Sequence, residues 1–241
     1  MPDILHVENS IENTRTTLAG LLPLQESFDL IQRDIVIGGR QSSFYFIDGM
    51  VKDEVMLKIM DSLMKVKAED MPPDATGFSQ QNIPYVEVDV LCGYDQILRN
   101  ILSGVLVLFI DGYGAGIAID CRTYPSRSVE EPDKDKSLRG SKDGFVETVV
   151  FDTALIRRRI RDPQLVMEML EVGNSSRSDV VLCYMKNLVN PDLLNNVRSK
   201  IESVRTTDLC MNQQSLAQAL IGTRWYNPFP KFKFSERPDT A

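Results

Sequence analysis

Apolar and polar positions along the chain follow two periods, one of strands and one of helices. Residues 1–27 are polar and weakly patterned; Ser10 is placed to cap a short helix over 11–22, and a mobile arm fits the same stretch equally well. From 28 to 37 apolar and polar residues alternate, Gly38-Gly39 makes a turn, and the aromatic run SFYFI at 43–47 follows, so strands are predicted at 31–37 and 43–47. Val55, Met56, Ile59, Met60 and Leu63 recur at helical spacing, predicting a helix over 52–66 with one apolar face. Met56, Met60 and Met64 read as adaptable core filler and not as a metal box. The Pro- and Gly-containing stretch 70–84 is predicted as a loop, 85–91 as a strand, and 94–103 as a helix stopped by Gly104. Strands over 105–110 and 115–121 flank the hairpin signal of Asp111 to Gly114.

Residues 148–160 have a helical period, with Val149, Ala154, Ile156 and Ile160 offering an apolar side, and Asp162-Pro163 ends it. Strands are predicted at 165–172 and 179–185 around a turn at 173–175. A helix then begins with Asn190 as its cap and Pro191 in its first position, turning Leu193, Leu194, Val197 and Ile201 inward. Another helix is expected over 212–221, and the tail 225–234 alternates aromatic and basic residues as an edge strand or packed arm. No repeat of 20 to 50 residues is present. The fold class expected is α/β: two mixed α/β subdomains, with mixed sheets, joined by a charged, Pro- and Gly-containing central segment. The boundaries are a 1–27 N-terminal arm, a 28–122 first α/β subdomain, a 123–145 connecting segment and a 146–241 second subdomain.

Composition narrows the chemistry. With 241 residues, 43% of them hydrophobic and 25% charged, the chain has the profile of a globular protein with ample core. A net charge of −7 disfavours non-specific binding to nucleic acid or to an anionic bilayer surface. Cys92, Cys121, Cys183 and Cys210 lie far apart without a C-x-x-C pair, which fits reduced, mostly buried thiols of a cytosolic compartment. The N-terminus lacks the pattern of a signal peptide. The longest apolar stretch, 101–119, is broken by Asp111, Gly112, Gly114 and Gly116 and reads as two strands around a turn.

His6 is the only histidine and sits in the unpatterned arm, which argues against imidazole-dependent triads and metal sites. There is no G-x-x-x-x-G-K-(S/T) loop, and the glycine-rich 112–116 is followed by a strand pattern instead of the helix that a dinucleotide site needs. Neighbouring acids such as Glu130 and Glu131, or Asp133 and Asp135, lie in a Pro-containing stretch that favours solvation over acid–base work. No enzyme and no cofactor are expected.

The densest mixture of charge, Gly and Pro runs from 120 to 163. An acidic tract, 130–135, precedes a basic one holding Arg157, Arg158, Arg159 and Arg161, with Arg157 and Arg161 placed as i, i+4 neighbours on one helix face. A solvated linker, an internal ion-pair network across the two subdomains, and a contact between protomers in a heterologous ring are all consistent with this pattern. Phe145, between Gly144 and Val146, is the apolar anchor in either of the last two.

The ordered segments EEPDKDKSLRGSKDGFVE, ALIRRRIRDP, VGNSSRSDVVLCYM and NPFPKFKFSERPD are similar to the cytoplasmic N-terminal domain of GerA-type spore germination proteins, the A subunits of nutrient germinant receptors. The resemblance covers residues 30 to 239, and the wording TYPSRSVEEPD, RGSKDGF and WYNPFP is closest to a stage V sporulation branch of that family. Its pattern falls on Arg127, Glu130, Glu131, Arg139, Phe145, Glu147, Arg157, Arg158, Arg159 and Arg237, the candidate assembly and coupling residues. The resemblance implies a cytosolic domain, on the spore-core side of the inner spore membrane, excised from a protein that continues into membrane helices beyond Asp239. It further implies partners in other copies of itself or related A subunits, and in a membrane partner protein. Its role would be subunit assembly and signal transmission to an oligomeric ion channel that promotes ion release during germination. The alternative is a small-ligand (germinant) module with a cleft between the subdomains. The TYPS and GSKD wording departs from typical receptor subunits, which sets direct germinant binding apart from the rest of what the resemblance implies.

Overall fold

In the computed structural model the described residues are 5–123, 144–173, 177–204, 216–217 and 233–239. Strands β1 (Leu30–Ile37) and β2 (Arg40–Ile47) form a hairpin in which Ile37 faces Arg40. The two residues between them, Gly38 and Gly39, both take positive φ (54° and 79°), the backbone that a two-residue turn needs to match strand twist. Strands β3 (Val88–Leu91), β4 (Leu106–Ile110) and β5 (Gly116–Ile119) complete a five-stranded sheet of order β1-β2-β4-β5-β3. β6 (Leu165–Val172) and β7 (Ser178–Met185) form a separate two-stranded sheet. Every ladder among the described residues is antiparallel. The fold is therefore mixed α/β as expected, but the sheets are not mixed: the helices between β2 and β4 return the chain antiparallel.

The large sheet is covered on both faces. Helices α1 (Ile11–Leu21) and α4 (Tyr94–Leu102) pack Leu18, Ile97 and Ile101 against Tyr45, Ile47, Val107, Phe109 and Ala118. Helices α2 (Asp53–Met64) and α3 (Ala75–Asn82) pack Ile59, Leu63 and Phe78 against Phe44, Leu106, Leu108, Ile110, Ile117 and Ile119. Alternation along β4 thus sends Val107 and Phe109 to one core and Leu106, Leu108 and Ile110 to the other, which is why this segment reads as an unbroken apolar run. The opening segment is part of this structure: Leu18 is fully buried, Ser10 caps α1, and Val7 N donates to Cys92 O.

Helix α3 lies inside the stretch expected to be a loop. Asp74 starts it, its side chain accepting from Gly77 N at 2.7 Å, and Phe78 anchors it in the core. Helices α5 (Val149–Arg159) and α6 (Pro191–Glu202) flank the two-stranded sheet in the sequence. Asn190 caps α6 as expected, but only Ile201 of the four inward residues is fully buried, and Leu193 is 62% exposed. Of the helix expected over 212–221 only 216–217 are described, and they are helical; of the turn at 173–175 only Gly173, at φ 93°, is described, and most of the 225–234 tail falls outside the described residues.

Leu108 has no exposed surface, and its neighbours on both adjoining strands are fixed by ladder bonds. Leu108→Ala is expected to lower unfolding free energy by about 2–5 kcal/mol, since the sheet has little freedom to close the cavity; urea titration followed by circular dichroism measures it.

Candidate functional site

The most distinctive polar arrangement joins the two sheets. Arg157, on the last turn of α5, is fully buried, and so is Asp29, just before β1. Arg157 Nε donates to Asp29 Oδ2 at 2.8 Å and Nη2 to Asp29 Oδ1 at 3.0 Å, a two-point fork. Nη2 also donates to Ser27 Oγ (3.1 Å), and Nη1 to the carbonyls of Leu165 (3.1 Å) and Asp162 (3.3 Å). These contacts account for every N–H of a guanidinium. Ser27 Oγ donates to Asp29 Oδ1 at 2.6 Å and accepts from Met167 N at 3.0 Å. Phe28 N donates to Met167 O, so residues 27–29 are stitched to β6 while they lead into β1.

Helix α5 has further neighbours. Ala154 belongs to the core of the large sheet, and a Cβ on Gly49 (φ +75°) would stand 3.0 Å from Val150 Cγ1. The positive φ, more than the close approach, favours glycine there. Val146 N donates to Asp152 Oδ1 at 2.7 Å, tying the entry of α5 to its first turn. Phe145 N donates to Glu236 O at 2.8 Å, bringing the GFVE segment against the ERPD segment. Arg237 is buried and forks onto Asp239 at 2.9 and 2.7 Å. Arg237 holds the Asp239 carboxyl below the usual carboxylate range, and the charge of Arg159 adds to that effect.

The candidate residues therefore separate. Arg157 takes part in an intrachain network and is not at a surface. Arg158 and Glu147 are exposed, Phe145 and Arg159 are half-buried, and Arg127, Glu130, Glu131 and Arg139 lie outside the described residues. Arg161 follows the end of α5, is exposed, and donates from Nε to Arg158 O, so it does not share a helix face with Arg157. The expected apolar side of α5 is corrected as well: the buried residues are Thr153, Ala154, Leu155 and Arg157, while Ile160 is 40% exposed. Ser27 and Asp29 were not candidates, because nothing within a helix or strand period marks a partner so distant in sequence.

A second polar contact braces the small sheet, where Arg198 of α6 forks onto Glu168 of β6 at 2.6 and 2.7 Å, with Tyr184 beside it. Of the described cysteines, Cys121 is buried and its thiol is pushed up to about 11 by that burial; Cys183 is exposed as a residue, yet burial around its thiol pushes it up to about 11 as well, so Cys92 is the described cysteine that departs from the expectation of buried thiols. Among the described residues no cluster of three or more His, Cys, Asp or Glu converges on a metal position, and no helix is long and apolar enough to cross a membrane.

A family model described as Bacillus/Clostridium GerA spore germination protein matches residues 22–241. The chain belongs to the GerA family. This GerA chain is 33% identical over 216 residues to stage V sporulation protein AF of Bacillus subtilis (strain 168), covering 89% of the chain and 44% of that relative. It is 28% identical over 214 residues to spore germination protein GerLA of Bacillus cereus, covering 88% of the chain and 43% of that protein. It spans less than half the length of these relatives. Its fold matches the crystal structure of the N-terminal domain of the A subunit of the Bacillus megaterium spore germinant receptor GerK3 with a TM-score of 0.69, at 20% identity, over 98% of this chain and 88% of that one.

Two predictions follow from this geometry. Asp29→Ala strands the buried Arg157 charge and is expected to cost about 3–5 kcal/mol. Asp29→Leu combined with Arg157→Met is expected to recover part of that loss, short of the whole because Ser27 Oγ and the Asp162 and Leu165 carbonyls lose their donor; a double-mutant cycle in urea reads both. The second concerns pH. Arg198 donates to Glu168 and holds its carboxyl below the ordinary value of 4.5. The stability this pair adds is complete above that value and is lost as pH falls through the lower folded-state value. An Arg198→Met variant is therefore less stable than wild type at neutral pH by up to about 1 kcal/mol, and the gap closes as pH falls below 4.5.

Proposed function

We propose that this domain acts in subunit assembly and in signal transmission to an oligomeric ion channel that promotes ion release during spore germination. It would work on the cytosolic, spore-core side of the inner spore membrane, with other copies or related A subunits and a membrane partner protein. The observation that carries the reading is the position of α5. Through Arg157 the helix is fixed to the segment entering the five-stranded sheet, and the residues entering the helix bond the ERPD segment through Phe145 N and Glu236 O. A displacement of the first sheet is thereby conveyed to the ERPD segment through one short rigid element. Exposed Arg158, on α5, and exposed Glu147, just ahead of that helix, are the described candidates for contact with a neighbouring protomer.

Packing favours this reading over a germinant cleft. Where the two sheets meet beside α5, Arg157, Asp29, Leu165 and Met167 are each at most 2% exposed, so side chains fill the seam there. Domain boundaries enter the proposal in adjusted form: α5 serves as the joint between the subdomains, with Ala154 in the core of the first.

Phe145→Pro tests the relay. Proline removes the N–H that bonds Glu236 O and leaves the Arg157 network untouched. In the full-length protein, the variant is expected to retain its thermal midpoint and oligomer size while ion release falls by roughly an order of magnitude, the scale of a coupling between two sites. Unchanged ion release at full expression would discard the relay.

A further inference from the structure

The seam between the sheets is the natural place for an apolar contact, yet it holds two charges with no more than 1% of either side chain exposed. Stability alone does not account for that choice, because replacing a buried ion pair with well-packed apolar residues is often neutral or stabilising, and what the pair adds here comes through its bonds to Ser27 and the Asp162 and Leu165 carbonyls. Geometry does. A guanidinium is planar with a fixed fork of donors, and here all of them have acceptors drawn from three places: Ser27 and Asp29 ahead of β1, the Asp162 carbonyl after α5, and the Leu165 carbonyl at the start of β6. Rotating the small sheet against the large one would break several of these bonds together and leave buried polar atoms unmatched. Apolar side chains at the same seam would slide and repack with a much smaller penalty.

We infer that Ser27, Asp29 and Arg157 are positioning residues that hold the five-stranded sheet and the β6–β7 sheet at one relative orientation, making α5 a rigid joint and not a hinge. The Met167 backbone confirms the direction of the constraint, since its N–H bonds Ser27 Oγ and its carbonyl bonds Phe28 N, so β6 is locked to the same short segment. The functional consequence rests on the relay reading above, whereas the orientation itself is measurable without it.

The test uses the 241-residue chain with Cys92, Cys183 and Cys210 changed to serine and spin labels at exposed Leu57, on α2, and exposed Leu188, after β7. Double electron–electron resonance then reads the distance distribution between the two units. Wild type is expected to give one narrow distribution. The Asp29→Leu, Arg157→Met double variant, folded by circular dichroism and cooperative in urea, is expected to give one roughly twice as broad or bimodal, as an ensemble of orientations replaces a single state. A distribution as narrow as wild type in that folded variant overturns the inference. Should the double variant not fold, Arg157→Lys carries the same test, because lysine keeps the charge and lacks the fork: broadening supports the lock, unchanged width overturns it. Ion release by the full-length double variant separates the two claims. Broadened distances with normal release sustain the lock and remove the relay, while narrow distances with normal release remove the lock alone.

Discussion

A charge withheld from water has to be matched where it stands, and the meeting of Asp29 with Arg157 sets that demand at the centre of this domain. Each group constrains a different part of the chain. Asp29 is held as β1 begins, so the hairpin of β1 and β2 is oriented by it; Asp48 N bonds the Asp29 carbonyl from the far end of β2. Arg157 needs acceptors beyond the two carboxylate oxygens, and takes them from the chain that leaves α5 and enters β6. Remove the pair, and the polar contacts left between the sheets among the described residues include Met167 with Ser27 and Phe28 and a surface pair of Lys186 with Glu26, the last weak by its exposure.

Three consecutive arginines on one helix carry out different tasks for a simple geometric reason. Successive residues of an α-helix point about 100° apart, so Arg157, Arg158 and Arg159 project in three directions. The first enters the seam, the second faces solvent, and the third acts electrostatically on Asp239. A basic run read as a single patch would assign all of them one function. The helix that bears them is only eleven residues long, too short to be stable in isolation. Its structure depends on tertiary packing, with Ala154 in the large core and Val150 in close contact with Gly49.

Most elements were legible because their patterns are local. The Gly38-Gly39 turn, the Asn190 cap and the hairpin of β4 and β5 each follow from residues within a few positions of one another. Helix α3 was hidden by Pro72, Pro73 and Gly77, whose composition signals a loop; it forms because Asp74 caps it and Phe78 finds the core, and the second of these is a tertiary fact. The face of α5 was misjudged for a related reason. Periodicity assigns the apolar residues inward, and at this helix the seam selects Thr153 and Arg157 while leaving Ile160 outside. The assembly and coupling residues came from a resemblance between ordered motifs, which marks positions without giving their partners. Asp29, in the ordinary-looking SFD before β1, carries no mark at all, since its partner is 128 residues away.

The distribution of charge then explains how one chain combines a stiff core with a specified joint. The two clusters flanking the five-stranded sheet are built from aliphatic and aromatic side chains, which cohere through area and tolerate small rearrangements. The forked arginine–carboxylate contacts at Asp29–Arg157 and Glu168–Arg198 occur instead where one segment meets another, sheet to sheet and helix to sheet, while Arg237–Asp239 fixes the ERPD turn itself. Apolar area holds each unit together without dictating its angle to the next. Directional bonds dictate that angle and, by themselves, add little net stability. The relay proposed for this domain needs both properties in these places, cohesion inside the moving parts and direction between them.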